Sequence, residues 1–136
     1  MPEIIGAAHI ALTVRDMERS ADWYQEVFEW QLSRGGPRQP GTPRLRLYDP
    51  ASSFSISLCQ PEDGSDDLFD YRRTGLDHLA FKVDSEVEFQ RWIDHLDAIQ
   101  VTHSPVREVG DKAKFVSFDD PDGIQLEICL YTNEGA

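Results

Sequence analysis

The apolar residues of this chain fall into two periods that alternate. Runs of strict alternation mark strands, and runs at three- and four-residue spacing mark helices. Ile4 to Val14 reads as a strand. Met17, Ala21, Tyr24 and Phe28, with Val27 beside them, recur at helical spacing after Asp16, whose carboxylate suits an N-cap. The helix should end near Glu29. Gln31 to Arg34 is a short strand, Arg44 to Tyr48 another, and Ser53 to Cys59 a fourth. The loop from Gly35 to Pro43 carries glycine and proline enough to stop either element. Pro61 to Thr74 is acidic and turn-rich, the natural linker. Leu76 to Val83 opens a second series. A helix follows from Ser85, with Glu88 three residues on as in a capping box and a stripe of Phe89, Trp92, Ile93 and Leu96. Val101 to Val106, interrupted by Pro105, reads as an edge strand. Ala113 to Asp119 and Ile124 to Tyr131 are strands flanking the turn Asp119-Asp120-Pro121-Asp122-Gly123.

Each series is β-α-β-β-β, and the second repeats the first. His9-Ile10-Ala11-Leu12-Thr13-Val14 aligns with His78-Leu79-Ala80-Phe81-Lys82-Val83 at an offset of 69 residues, and the same offset carries Trp23 onto Trp92. Both tryptophans are expected in the core. The fold class is therefore α+β: two βαβββ modules, about 1–60 and 75–136, joined by the linker 61–74 into one domain with a cupped mixed sheet.

Alternation splits each strand into two faces. Ile10, Leu12 and Val14 oppose His9, Ala11 and Thr13. Leu79, Phe81 and Val83 oppose His78, Ala80 and Lys82. In the last strand Ile124, Leu126, Ile128 and Leu130 oppose Gln125, Glu127, Cys129 and Tyr131. The apolar face of each sheet should bury the helix of its own module. The other face holds both repeat histidines and Glu127, which implies a concave polar surface shared by the modules.

His9, His78 and Glu127 are two imidazoles and a carboxylate. A lone strand histidine is more often a hydrogen-bonded core residue than a ligand. Two at equivalent positions, with an acid on the same face, are hard to obtain from packing alone. The set matches the facial triad used for Fe(II), and it also suits Zn, Mn, Ni or Co with open positions for substrate. Such a metal polarises a bound oxygen or acidifies a bound water. His103, on the expected edge strand, is a weaker candidate for the site mouth and for acid–base work. Phe54, Phe115 and Tyr131 are candidate aromatic walls. Arg44, Arg46 and Tyr48 share one strand face.

Charge and cysteine content narrow the class. At 136 residues the chain is one compact unit or two small halves, and its net charge is −12. That excludes a basic nucleic-acid footprint and disfavours an anionic membrane surface. No apolar run is long enough to cross a bilayer, and Met1-Pro2-Glu3-Ile4-Ile5 does not read as a signal peptide. Two cysteines, Cys59 and Cys129, make no disulfide framework, so a reducing cytoplasm is the expected location.

The motifs HIALTVRD (His9 to Asp16) followed by Trp23-Tyr24, GLDHLAF (Gly75 to Phe81) and DPDGIQLE (Asp120 to Glu127) resemble the vicinal oxygen chelate superfamily over essentially the whole chain. That superfamily groups glyoxalase I, bleomycin- and fosfomycin-resistance proteins, methylmalonyl-CoA epimerase and extradiol dioxygenases. The resemblance implies paired βαβββ modules around one divalent metal, with His9, His78 and Glu127 as ligands. It also implies a small-molecule substrate chelating that metal through adjacent oxygens, and a homodimer. Ser57 stands where glyoxalase I and the epimerase carry a Glu or Gln ligand, and nothing basic follows Glu127 as it does in the fosfomycin-resistance enzymes. The three-ligand pattern leans toward a dioxygenase-like site, with Fe2+ favoured over Mn2+, Zn2+, Ni2+ or Co2+. Isomerase or lyase chemistry, and drug or metabolite sequestration, are the alternatives.

Overall fold

A computed structural model describes residues 1–34 and 41–132. The chain divides into two units, Met1–Asp67 and Leu68–Ala136, a boundary inside the expected linker. Residues 35–40 of the expected glycine/proline loop lie outside the described residues.

The first unit contains β1 (His9–Thr13), α1 (Met17–Phe28), β2 (Gln31–Ser33), β3 (Arg44–Tyr48) and β4 (Ser55–Cys59). Its four-stranded sheet has the order β1-β4-β3-β2. β1 and β4 are parallel, and the other neighbours are antiparallel. Asp16 caps α1 by accepting from the amide of Arg19, and Glu29 closes it in the left-handed conformation, its amide on the carbonyl of Gln25. The apolar face behaves as expected. Leu45, Leu47, Ile56 and Leu58 are buried, and α1 packs over β3 and β4 with Ala21, Tyr24, Val27 and Phe28 inside.

The second unit contains β5 (His78–Val83), α2 (Glu86–Ala98), β6 (Arg107–Val109), β7 (Ala113–Asp119) and β8 (Gln125–Tyr131). Its sheet has the order β5-β8-β7-β6, again with one parallel pair, β5 and β8. Ser85 caps α2 through its hydroxyl on the amide of Glu88. The Glu88 carboxylate pairs with Arg91. α2 packs on β8, and Phe89, Leu96, Leu126 and Ile128 are buried. Each fully buried aliphatic side chain of this kind contributes about 1.5–3 kcal/mol.

Four expectations are corrected. β1 starts at His9 rather than Ile4, because its partner β4 starts at Ser55, directly opposite; Ile4 and Ile5 lie exposed. β4 likewise starts at Ser55, since Ser53 takes a left-handed φ of 64° within the turn. β6 is Arg107–Val109, after Pro105, and not Val101–Val106; in that stretch only His103 bridges to a strand, at Phe118. Trp23 and Trp92 are half-buried at the flanks of their helices rather than in the core, as befits a ring too large to enclose easily.

Candidate functional site

Three local features deliver Glu127. Asp120 is buried and accepts from the amides of Asp122 and Ile124 at 2.8 and 2.9 Å. Gly123, at φ 83°, completes that turn. The chain then enters β8 with Gln125, Glu127 and Cys129 on the face away from α2. β8 is paired on both edges, by β5 and β7, and Glu127 is only 5% exposed.

β5 lies parallel to β8 with His78 opposite Gln125 and Ala80 opposite Glu127. The small Ala80 leaves the Glu127 side chain room to reach His78. Nε2 of His78 stands 3.3 Å from Oε1 of Glu127. On the other side of the ring, Nδ1 is 2.7 Å from Oδ1 of Asp77. A carboxylate only accepts, so Asp77 suits a proton on Nδ1, the tautomer that leaves Nε2 available as a ligand. The two atoms can share a proton, as an ion pair, or hold a cation between them. The 3.3 Å gap is longer than the ~2.7–2.9 Å of a charge-assisted hydrogen bond. It is close to the spacing of two ligands that each sit about 2.0–2.2 Å from one metal ion.

Oε2 of Glu127 is occupied differently. Arg107 donates to it at 2.7 Å and the Gln125 amide at 3.2 Å. Arg107 comes from the short edge strand β6, where it pairs in register with Phe115 of β7. His78, Arg107, Glu108, Val109, Phe115 and Glu127 line a concavity of about 670 Å³. The ring of Tyr131 meets Phe115 edge-on at 6.2 Å. Burial pushes the neighbouring Cys129 thiol above its ordinary value.

Of the expected ligands, His78 and Glu127 are thus brought together in the second unit; Phe115 lines the same concavity, and Tyr131, 42% exposed, touches Phe115 without being one of the lining residues. No third His, Cys, Asp or Glu joins this pair within the unit, since no such group of three is gathered among the described residues. His9 belongs to the first unit, exposed on β1, where it pairs in register with Ser55. Ser57, opposite Ala11, occupies in that sheet the place Glu127 holds opposite Ala80. Beside it Arg46 donates from Nε to the Ser55 hydroxyl at 3.3 Å and stacks over Tyr48 at 4.7 Å.

Two expected site residues are elsewhere. Phe54 precedes β4 and its ring faces Trp30 at 6.3 Å, continuing a row from Tyr24 and Phe28 on the α1 side. Alternation with Ile56 and Leu58 puts it there. His103 bridges to Phe118 and donates toward α2, to Asp97 at 2.7 Å, and to the carbonyl of Ser104 at 2.7 Å. Both ring nitrogens are engaged away from Glu127. Arg107 escaped the sequence reading, because β6 carries no alternating signal.

The chain belongs to the Glyoxalase/Bleomycin resistance protein/Dioxygenase superfamily, whose model matches residues 6–128. It is similar to a metallothiol transferase, FosB, of Staphylococcus epidermidis, with 28% identity over 128 residues, covering 93% of this chain and 82% of that one. Among solved structures it resembles a glyoxylase/bleomycin resistance protein/dioxygenase domain from Frankia sp. EAN1pec, at 33% identity and a TM-score of 0.83. That match covers 98% of this chain and 96% of the other. A lactoylglutathione lyase from Agrobacterium tumefaciens shares the fold at 18% identity and a TM-score of 0.74, covering 99% of this chain and 100% of that one.

Proposed function

We propose that the protein is a divalent-metal-dependent enzyme acting on a small substrate that chelates the metal through adjacent oxygens. His78 and Glu127 are the two ligands of the second unit, and His9 is the third. The observation that carries this reading is the pairing of Nε2 of His78 with Oε1 of Glu127, 3.3 Å apart with Asp77 behind the ring. A divalent ion there supplies Lewis-acid polarisation of the substrate oxygens. The protein's own groups orient that ion's ligands, through Asp77 on His78 and Gln125 on Glu127. Phe115 supplies an apolar side to the concavity, with the Tyr131 ring edge-on against it.

Two reactions fit this site. The similarity to FosB, a metallothiol transferase, supports metal-assisted transfer of a thiol to the substrate. A three-ligand site of two histidines and a glutamate also suits Fe2+ and oxygen-dependent cleavage of a catechol-like substrate. Ser57 in the place equivalent to Glu127 weighs against a glyoxalase-type proton shuttle, because a hydroxyl is a poor base where that reaction uses a carboxylate.

The test is metal analysis of anaerobically purified protein beside Glu127→Ala. About one metal ion per chain, lost in the variant, is the expected result. Iron with oxygen uptake on catechols selects the dioxygenase reading; manganese or zinc without uptake selects thiol transfer. No metal in the wild type, even after reconstitution, overturns the proposal in favour of a sequestering role.

A further inference from the structure

We propose that Arg107 is a charge latch on the site: it neutralises Glu127 until a divalent ion binds, and once displaced it anchors an anionic group of the ligand. The inference rests on the metal reading above and adds the substrate's charge.

The geometry is one-sided. Arg107 reaches Oε2 of Glu127 through a single guanidinium nitrogen at 2.7 Å, while Oε1 faces His78. Glu127 is nearly enclosed, with a side chain 7% exposed, and a buried carboxylate needs a compensating positive charge. Arg107 provides it from outside, with a side chain 57% exposed. Its strand β6 is three residues long and exposed throughout, so swinging the guanidinium away disturbs little packing.

A dication on Oε1 and a guanidinium on Oε2 of the same carboxylate repel one another in a poorly solvated place. Metal binding therefore drives Arg107 off Glu127. The released side chain remains in the concavity, where it is the one lysine or arginine among the described lining residues. In a chain of net charge −12, a cation freed beside two carboxylates is a selective element for a carboxylate, sulfate or phosphonate group. Metal and anion should then help each other, because the metal exposes the guanidinium and the anion keeps it from returning.

The experiment is a calorimetric titration of Mn(II), and in parallel Zn(II), into wild-type protein, Arg107→Gln and Arg107→Met. Each is run with and without sulfate as a tetrahedral dianion probe. Two substitutions are used so that one misfolded variant does not leave the question open. The expected result is metal binding at least about fivefold tighter in the variants without sulfate. Sulfate should tighten metal binding to the wild type and leave the variants unchanged. Equal or weaker metal binding by the variants overturns the latch while leaving the metal site standing. A tighter variant with no sulfate effect on the wild type overturns the anion anchor. Absence of metal binding by all three proteins removes the metal reading, and the latch with it.

Discussion

Asp77 sits behind His78, its Oδ1 2.7 Å from the ring Nδ1, and leaves Nε2 as the nitrogen that faces Glu127. Asp77 is exposed and bears little packing. Asp77→Asn should therefore leave the fold intact while loosening the proposed metal site. The expected loss in metal affinity is about 10–100-fold, typical of a group that orients a ligating histidine. Calorimetric metal titration checks it, with circular dichroism as the folding control. Unchanged affinity would mean that Asp77 does not set the tautomer.

The histidine and glutamate of that pair were legible because two rules acted together. The repeat marked His78 as the counterpart of His9, and period-two alternation put Glu127 on the same face. The structure keeps the repeat in its register: Ala11 opposes Ser57 as Ala80 opposes Glu127. Arg107 was illegible for the opposite reason. Arg107-Glu108-Val109 is a three-residue edge strand with every side chain exposed, so no hydrophobic pattern marks it. The apolar Val101 and Val106 drew the expected strand too early. That placed His103 at the expected site, whereas its ring is held by Asp97 of α2. Phe54 was a different failure: in period two it falls with Ile56 and Leu58, which are buried on the face that α1 covers.

Leu126 tests the core of the second unit. It is fully buried on central β8, flanked in register by Leu79 and Phe118. Leu126→Ala removes its packing and leaves a cavity that a strand hydrogen-bonded on both sides cannot collapse. The expected cost is about 2–5 kcal/mol, read from urea unfolding. A cost under about 1 kcal/mol would show that the sheet relaxes to fill the space.

Asp16 and Ser85 are repeat-equivalent caps, each accepting from the amide three residues on at 3.1 Å. Asp16→Ala and Ser85→Ala should each destabilise the protein by about 1 kcal/mol. The sites share no partners, so the double variant should lose the sum. Urea denaturation of the four proteins measures both effects.

Cys59 and Cys129 are free and buried, and burial raises the Cys129 thiol above its ordinary pKa. The thiolate is the reactive form, so Cys129 should resist an aromatic disulfide reagent at neutral pH in the native protein. Both thiols should react once urea unfolds the chain. Prompt native-state reaction at Cys129 would contradict its burial on β8.

His103 should make stability depend on pH. Its Nδ1 meets the carbonyl of Ser104 and its Nε2 meets the carboxylate of Asp97, both at 2.7 Å. Both partners accept, so a ring that satisfies both carries two protons. The hydrogen bond to Ser104 and that to Asp97 raise its pKa against a smaller-than-full burial that lowers it. A folded pKa above the unfolded value means that the folded state holds the proton more tightly. The stabilisation is complete below the unfolded value of about 6.5 and is lost as pH rises through the folded value. Urea midpoints for the wild type should fall across that window relative to His103→Gln, in which this titration is absent. A wild-type profile parallel to that of the variant from about pH 6 to about pH 9 would show that the ring carries no linked proton. Asp97→Asn supplies the second half of the argument: it removes one of the two groups that favour the charged ring, so the fall in stability should move to lower pH.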